Sequence, residues 1–591
     1  MKKDNSQIEK IRHSLAHILA MAVLEKYPDM QLGIGPAIEN GFYYDFDAPI
    51  KKEDLPELEK RMRELIKENL NFKKEIIAPI QAKKIFRNQP YKLELIEELK
   101  KSKKPISIYK TTSIARQALS ISPFVDLCAG PHINDTSKID LKAFKLTKIA
   151  GAYWRGLEKN PMLTRIYGVA FETKKELEEY LKWQEEIEKR DHRILGEKLD
   201  LFMIDENIGK GLPLWLSKGY AIRHKLEDYI FQKEKENGYS HVLTPILAKE
   251  DLYKTSGHLA HYKDDMYSPI EIEGEKFYLK PMNCPHHHSI YNRHIRSYKD
   301  LPLRIAEFGL VHRFERSGVL SGLIRVRGFT QNDAHIYTTP EKLEQEIVSI
   351  LKMHNEVFKD FNITNYWYRL SLPDFRNKEK FGDIKNKKMW EEGARVLESA
   401  LKKLKLNYVE GIGEASFYGP KIDIQIKNIH GKEDTIATVQ VDYYSAGKFH
   451  LNYINKDGKE KPAVIVHRAI FGSFDRFLAF LLEQTAGNLP VWLAPVQAVV
   501  LPVSEKAAQY AKEAYFELSK NKIDAEISEN ETLGKRIRES ELKKIPYILI
   551  VGEKEAQNKT VSVRHYKRGQ EGEVKIFDLI GKIKKEIEEK K

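Results

Sequence analysis

Residues 8–27 place apolar side chains at the three- and four-residue steps of an amphipathic helix. Residues 40–48, around GFYYDFD, read as a strand, and the pattern from Glu53 to Asn69 is helical again. Residues 76–172 mix short strands and helices, with a turn-rich corner expected at GAYWRG (151–156). Lys and Glu then crowd at helical spacing over 174–199, as on an exposed linking helix. Residues 219–237 form a second long helical pattern ended by Gly238, and YSHVLTPIL alternates as a strand. Strand-like segments broken by charged turns fill 275–340. Around 490–503 three prolines bracket a strand. Beyond them the expected order is helix 505–520, strand 523–528, helix 533–544, strands 546–551 and 560–565, and helix 575–588.

A chain of 591 residues exceeds what one core can serve, and about three or four domains are expected. The breaks in pattern divide it into 1–173, a linker helix 174–199, a central domain 200–493 and a last domain 494–591. The alternation of helix and strand at both ends suits small α/β domains, and the whole reads as α+β multidomain.

Composition narrows the class. With 41% hydrophobic and 31% charged residues, the chain suits a globular protein. Its formal charge of +13 favours a polyanionic partner such as nucleic acid, though many soluble proteins share such an excess. No apolar run reaches the roughly 18 residues of a membrane span. The stretch LAHILAMAVL is interrupted by His17, follows acidic residues and lacks a small-residue cleavage site. Neither a membrane span nor a signal peptide is expected, and the cytoplasm is the expected compartment.

There are two cysteines, Cys128 in DLCAGPHI and Cys284 in MNCPHHHS. So few thiols exclude a disulfide framework. Each cysteine has two readings: a small buried hydrophobe, or a reactive or ligating group. His13 and His17 are available to the first, and His335 and His467 to the second. The sequence separations are long, so spacing alone nominates no ligand set.

The strings YLKPMNCPHH, RVRGFTQNDAHIY and VIVHRAIFGSFDRF resemble the bacterial-type threonyl-tRNA synthetase family, a group of class II aminoacyl-tRNA synthetases. The resemblance spans essentially the whole chain and implies an N-terminal editing domain, a class II antiparallel-sheet catalytic core and a C-terminal anticodon-binding domain. Motif 1 corresponds to helix 219–237 and the strand ending at Pro245, which implies a homodimer. Motif 2 corresponds to HRFERSGVLSGLIRVRGF, with Arg313, Glu315, Arg325 and Phe329; motif 3 contains Arg476. Activating an amino acid with ATP develops charge on phosphate, which planar guanidiniums meet bidentately. The resemblance implies Arg313 on the α-phosphate, Arg476 on the γ-phosphate, Glu315 on the adenine amino group and Phe329 stacked on the base, with Mg²⁺ bridging the phosphates. Arg325 joins the catalytic set, and His258 of SGHLAHY corresponds to a histidine that helps charge the terminal ribose.

The resemblance also implies Cys284, His335 and His467 as ligands of one Zn²⁺ per subunit. Three protein ligands leave zinc an open position. Threonine's amino group and hydroxyl would fill it, which an isosteric valine cannot do. Gln331, Asp333, Tyr418 and Gln440 are expected around the threonine.

Serine carries the same two polar groups, and one methylene discriminates by only about 10–200-fold. A second, hydrolytic sieve is therefore expected. His13 and His17 share one helix face, and Cys128 and His132 recur in CAGPH. This pattern resembles the editing domain common to threonyl- and alanyl-tRNA synthetases, with Lys92 and Asp126 as further editing residues. The same four donors satisfy zinc spacing, as in the alanyl relatives, so metal and metal-free readings both stay open, the metal-free one preferred. In the last domain, Asn530, Glu555 and Arg564 correspond to positions that contact the anticodon, where splayed bases expose their pairing edges. The family usually begins with a small ubiquitin-like domain; here the HxxxH starts at residue 13, so that domain is expected to be absent.

The expected activity is thus ATP-dependent attachment of L-threonine to tRNA(Thr), with hydrolysis of mischarged Ser-tRNA(Thr). The alternatives are a tRNA-binding protein of synthetase fold without catalysis, and a synthetase for another amino acid such as proline or serine. The arginines and the Cys/His/His set weigh against the first, and that set together with the editing pattern against the second.

Overall fold

The computed structural model describes residues 7–113, 123–157, 159–381 and 387–591. The chain divides into two compact units, Met1–Glu186 and Ile187–Lys591.

In the first unit the helix Gln7–Lys26 buries Leu15, Ile18, Leu19, Ala22 and Val23 almost completely. Each fully buried Leu, Ile or Val of this set contributes about 1.5–3 kcal/mol. The helix packs on Gly41–Asp47, the strand that carries Phe42, Tyr44 and Phe46 inward. That strand pairs antiparallel with Met162–Ala170, which pairs in turn with Phe144–Tyr153. The helix Leu55–Lys67 adds Leu58, Met62, Leu65 and Ile66 to the same core. A second antiparallel sheet joins Asn71–Ile76, Ser107–Thr112 and Phe124–Leu127, the last leading directly to Cys128.

The turn expected at 151–156 begins later. Gly151, Ala152 and Tyr153 are still paired, Tyr153 with Met162, and only Trp154–Gly156 turn. The single linking helix expected over 174–199 is two helices, Lys174–Arg190 and His192–Lys198. Asp191 caps the second by accepting from the Arg193 N–H at 2.8 Å, and His192 and Leu195 on it are buried, not exposed.

The second unit is built on an eight-stranded sheet in the order Ser240–His241, Leu303–His312, Gly328–Thr338, Val464–Ser473, Glu433–Asp442, Lys421–Lys427, Tyr366–Leu372, Tyr408–Ile412. Its central pairings are antiparallel and its two outermost are parallel. Val464–Ser473 is buried on both faces for its first eight residues, as a near-continuous apolar run in a central strand requires. One large core joins this sheet to Ser217–Glu236, Leu343–Asp360, Lys387–Lys403 and Phe474–Thr485. The strand expected from YSHVLTPIL is two short pieces, Ser240–His241 and Leu247–Lys249. Pro245 lies between them and has no N–H to continue a ladder.

The end of this unit carries a five-stranded sheet. Ala525–Ile527, Ala498–Pro502 and Tyr547–Val551 run parallel, and Thr560–His565 and Gly569–Lys575 complete it antiparallel. The strand Gly569–Lys575 and the short helix Glu553–Asn558 were not expected. Among the described residues no helix is long and apolar enough to cross a membrane.

Candidate functional site

Three central features of the large sheet converge on one point. His335 and His467 are direct cross-strand partners on Gly328–Thr338 and Val464–Ser473. Cys284 opens the helix Cys284–Tyr291. All three are buried, and their candidate ligand atoms lie within 4.8 Å of one another.

The partners of each histidine decide which nitrogen is left. His467 Nε2 donates to Asp442 at 2.9 Å. Asp442 also accepts from the Ser445 hydroxyl and from the Tyr444 and Ser445 N–H groups. Burial raises its pKa, but the His467 and Ser445 bonds outweigh this and hold it below the usual carboxylate range. His467 Nδ1 is left as the available donor. His335 Nδ1 meets His287 Nδ1 at 2.8 Å, and His287 Nε2 meets Glu307 at 2.9 Å. Burial raises Glu307, yet His287, the Thr244 N–H and Lys280 together lower it to about 2. An ionised Glu307 takes the proton of His287 Nε2, so His287 Nδ1 must accept. His335 Nδ1 then donates, and its Nε2 lone pair remains. Burial pushes the Cys284 thiol well above its ordinary value, and the charges of Asp333 and Asp442 push it further. A cation among the three would reverse that balance and favour thiolate. Two oriented imidazoles and a thiol with one direction left open fit zinc.

The triad forms the floor of a cleft of about 810 Å³, with Arg313, Gln331, Asp333, Tyr418, Thr438 and Gln440 among its walls. Tyr418 donates a hydrogen bond to Gln440, and Asn283 Nδ2 donates to Asp333 at 3.0 Å. Glu315, Arg325, Phe329 and Arg476 are not part of that lining; they lie around the motif 2 hairpin next to Arg313. Arg313 sits over the Phe329 ring at 5.1 Å. Glu315 and Arg325 pair with each other at 2.9 Å. Arg476 Nε donates to the Ile324 carbonyl at 3.1 Å. Burial lowers the Arg476 pKa and, although Asp434 raises it, the charges of Arg313 and Arg325 lower it further. Three guanidiniums sharing one neighbourhood suit a polyanion. His258 is buried and held by Ser256 at 2.8 Å, while its Nε2 has no protein partner. Burial, with Arg313 and His467, lowers its pKa to about 4, so it is neutral near pH 7.

The first unit holds a second convergence. His13, His17, Cys128 and His132 have candidate ligand atoms within 4.8 Å of one another. Here the donors engage each other. Cys128 Sγ lies 3.3 Å from His13 Nε2 and 3.4 Å from His132 Nε2. His13 Nδ1 meets the Pro131 carbonyl and His132 Nδ1 meets the Ser14 hydroxyl, each at 3.1 Å. His17 Nε2 lies 3.4 Å from Asp126, which Lys92 neutralises at 2.5 Å and the Tyr44 hydroxyl meets at 2.6 Å. Lys92 and Asp126 are 1% and 2% exposed, so this is a buried ion pair. Burial drives the three imidazoles toward neutrality and raises Cys128 to about 12, so the thiol is protonated.

The three residues expected at an anticodon lie on the last sheet and helices of the second unit. Asn530 is exposed before the helix Leu533–Leu542. Glu555 accepts from the Gly552 N–H at 2.9 Å as a helix cap, and Arg564 pairs with Glu541 at 2.6 Å.

Sequence reasoning missed Asp442, His287, Glu307 and Lys280. The only signal was the run of three histidines after Cys284, which did not say which one faced inward.

Residues 267–485 match the tRNA synthetase class II core domain (G, H, P, S and T), and residues 497–586 the anticodon binding domain. Residues 107–167 match the second additional domain of threonyl and alanyl tRNA synthetases. A threonine–tRNA ligase of Streptococcus thermophilus (strain ATCC BAA-491 / LMD-9) is 46% identical over 586 residues, which cover 98% of this chain and 88% of that one. This chain belongs to the threonine–tRNA ligase family. A threonine–tRNA ligase of Streptococcus pneumoniae (strain P1031) is 45% identical over the same span. The RNA binding domain of threonyl-tRNA synthetase from Cryptosporidium parvum Iowa II has a TM-score of 0.62 at 38% identity, over 67% of this chain and 98% of that one. Prolyl-tRNA synthetase of Giardia lamblia shares the fold, with a TM-score of 0.54 at 18% identity over 69% of this chain and 81% of that one.

Proposed function

We propose a division of labour between the two clusters in a threonine–tRNA ligase that activates threonine with ATP and Mg²⁺, charges tRNA(Thr) and hydrolyses Ser-tRNA(Thr). The carrying observation is that Cys284, His335 and His467 line one polar cleft with candidate ligand atoms within 4.8 Å of one another, and that the partners of each ring leave it one nitrogen. Those three residues would hold one zinc ion per chain. Bound there, it supplies an electrophilic position that the threonine amino and hydroxyl groups can occupy together.

Gln331, Asp333, Tyr418 and Gln440 orient the amino acid. Arg313 and Arg476 receive the phosphates, Glu315 the adenine amino group and Phe329 the base, with Arg325 in the same catalytic set beside Glu315. Positioning and fixed charge supply most of the acceleration. Neutral His258, adjoining this site, can take a proton from the terminal ribose hydroxyl.

His13, His17, Cys128 and His132, with Lys92 and Asp126, form the editing site. Neutral imidazoles that hydrogen-bond through a protonated thiol suit ordering a water against a seryl ester. Asn530, Glu555 and Arg564 read the anticodon, the last two after releasing their present partners. The domain boundaries 1–173, 174–199, 200–493 and 494–591 fit these roles. A homodimer is supported by apolar side chains left exposed along motif 1: Tyr220, Phe231 and Leu243, the last 89% exposed.

Threonine-dependent exchange of pyrophosphate into ATP tests the reading. Zinc-loaded protein is expected to exchange with threonine and not with valine. Absence of exchange would leave the tRNA-binding alternative standing.

A further inference from the structure

A third cluster of ionisable side chains lies outside both sites. Asp191, His192 and Glu483 are all buried, with ligand-type atoms within 4.8 Å of one another. Unlike the histidines beside Cys284, the imidazole here has both ring nitrogens engaged. His192 Nδ1 meets Glu483 Oε1 at 2.6 Å, and His192 Nε2 accepts from the Leu323 N–H at 3.1 Å. Since the Leu323 amide can only donate, Nε2 must be unprotonated and Nδ1 must carry the proton to Glu483. Asp191 is taken by the Arg193 N–H and guanidinium. The cluster is a strut rather than a metal site.

What the strut joins gives it a function. Glu483 lies on Phe474–Thr485, the helix that carries Arg476. Leu323 lies in the loop that carries Arg325, and the next residue, Ile324, accepts from Arg476 Nε at 3.1 Å. The loop is therefore gripped twice in adjacent residues, by His192 at Leu323 and by Arg476 at Ile324. Gly322, just before them, has φ +48, and a Cβ there would stand 2.1 Å from His192 Nε2. The chain thus comes too close to the imidazole for any side chain. Inside the loop, Ser321 and Arg325 exchange backbone hydrogen bonds at 3.1 and 3.2 Å, so a shift at Leu323 carries Arg325 with it.

We propose that His192 is a positioning residue for ATP: through Glu483 and the Leu323 N–H it holds the motif 2 loop so that Arg325 and Arg476 face the phosphates together. This rests on the assignment of Arg476 to the phosphates and of Arg325 to the catalytic set beside it. His192 touches no reactant, and its effect belongs to ATP rather than to threonine.

Pyrophosphate exchange with the full-length, zinc-loaded protein separates the cases. Loss of one buried hydrogen-bonded strut predicts that His192→Ala raises the KM for ATP about tenfold, with the KM for threonine within about twofold of the parent. Glu483→Ala should match it. Glu483→Gln keeps an oxygen that accepts from Nδ1 and should stay close to the parent. Should His192→Ala not fold, the comparison of Glu483→Gln with Glu483→Ala carries the test. An unchanged ATP KM in His192→Ala, parallel rises for ATP and threonine, or equal loss in both Glu483 variants would overturn the proposal. Arg476→Ala is the control: if it leaves the ATP KM unchanged, the assignment of the phosphates is wrong; if it raises it while His192→Ala does not, only the strut is.

Discussion

Both Cys/His clusters bring thiol and imidazole groups within 4.8 Å of one another, yet the partners of those groups differ. Around Cys284 the histidines are each tied outward, one to Asp442 and one through His287 to Glu307. Among the described residues, no hydrogen bond joins Cys284 to either histidine, so all three donors remain available to a third party. Around Cys128 the thiol itself bridges His13 and His132, and the nearby carboxylate, Asp126, is neutralised by Lys92. Carboxylate-backed imidazoles are better metal ligands; a self-satisfied neutral network is better suited to holding a water. The residue list alone does not separate the two cases. The second partner of each ring does.

The largest effects should come from exchanging the cysteines. Cys284→Ala is expected to lower threonine activation by at least about 100-fold, since losing a ligand should exceed the 10–100-fold usual for an outer partner. Ser-tRNA(Thr) deacylation should stay within about twofold. Cys128→Ala should do the reverse. If both variants lost both activities, the division into two sites would be wrong.

Stability offers the next test. Asp126→Ala leaves Lys92 charged and buried, and should cost about 3–5 kcal/mol in the first unit's unfolding free energy. The paired replacement of Lys92 and Asp126 by Met and Leu should recover most of it. Denaturant titration measures both; equal loss in the two would show that the ion pair is not what matters there.

Glu307→Gln probes the relay behind His335. A neutral amide can donate to His287 and reverse the proton order, so zinc affinity should fall about 10–100-fold. Chelator competition reads this without reference to catalysis. An unchanged affinity would mean that the tautomer of His335 is set elsewhere.

The smallest effect near neutral pH, growing only as pH falls, concerns His354. Burial, with the charge of Arg468, lowers His354 to about 3. An unfolded histidine takes up a proton below about 6.5. Its contribution to stability is therefore complete above that pH and declines by about 1.4 kcal/mol per pH unit as pH falls toward 3. His354→Leu should flatten the acid limb of the stability profile by that slope; an unaltered limb would show that the ring is already protonated or accessible.

Much of this was legible in the sequence because the informative strings hold their chemistry locally. HxxxH, CAGPH and the motif 2 and motif 3 strings bring ligand and arginine types within a few residues of each other. What was hidden depends on register. Glu307 reaches His287 only because Leu303–His312 pairs with Gly328–Thr338, setting Ile305 opposite His335. Thr244, read as part of a strand, spends its N–H and hydroxyl on Glu307 instead of on a ladder. The edge strand Gly569–Lys575 was missed because its glycines and glutamates show no apolar alternation. The buried role of His192 was invisible in a stretch so rich in Lys and Glu.

One cluster is expected to hold zinc and the other not. Metal analysis of purified protein, by mass spectrometry of zinc per chain, tests it directly when applied to the parent, Cys284→Ala and Cys128→Ala. One zinc is expected in the parent, with loss in Cys284→Ala and retention in Cys128→Ala. Two zinc ions per parent chain, or loss of zinc in Cys128→Ala alone, would contradict it.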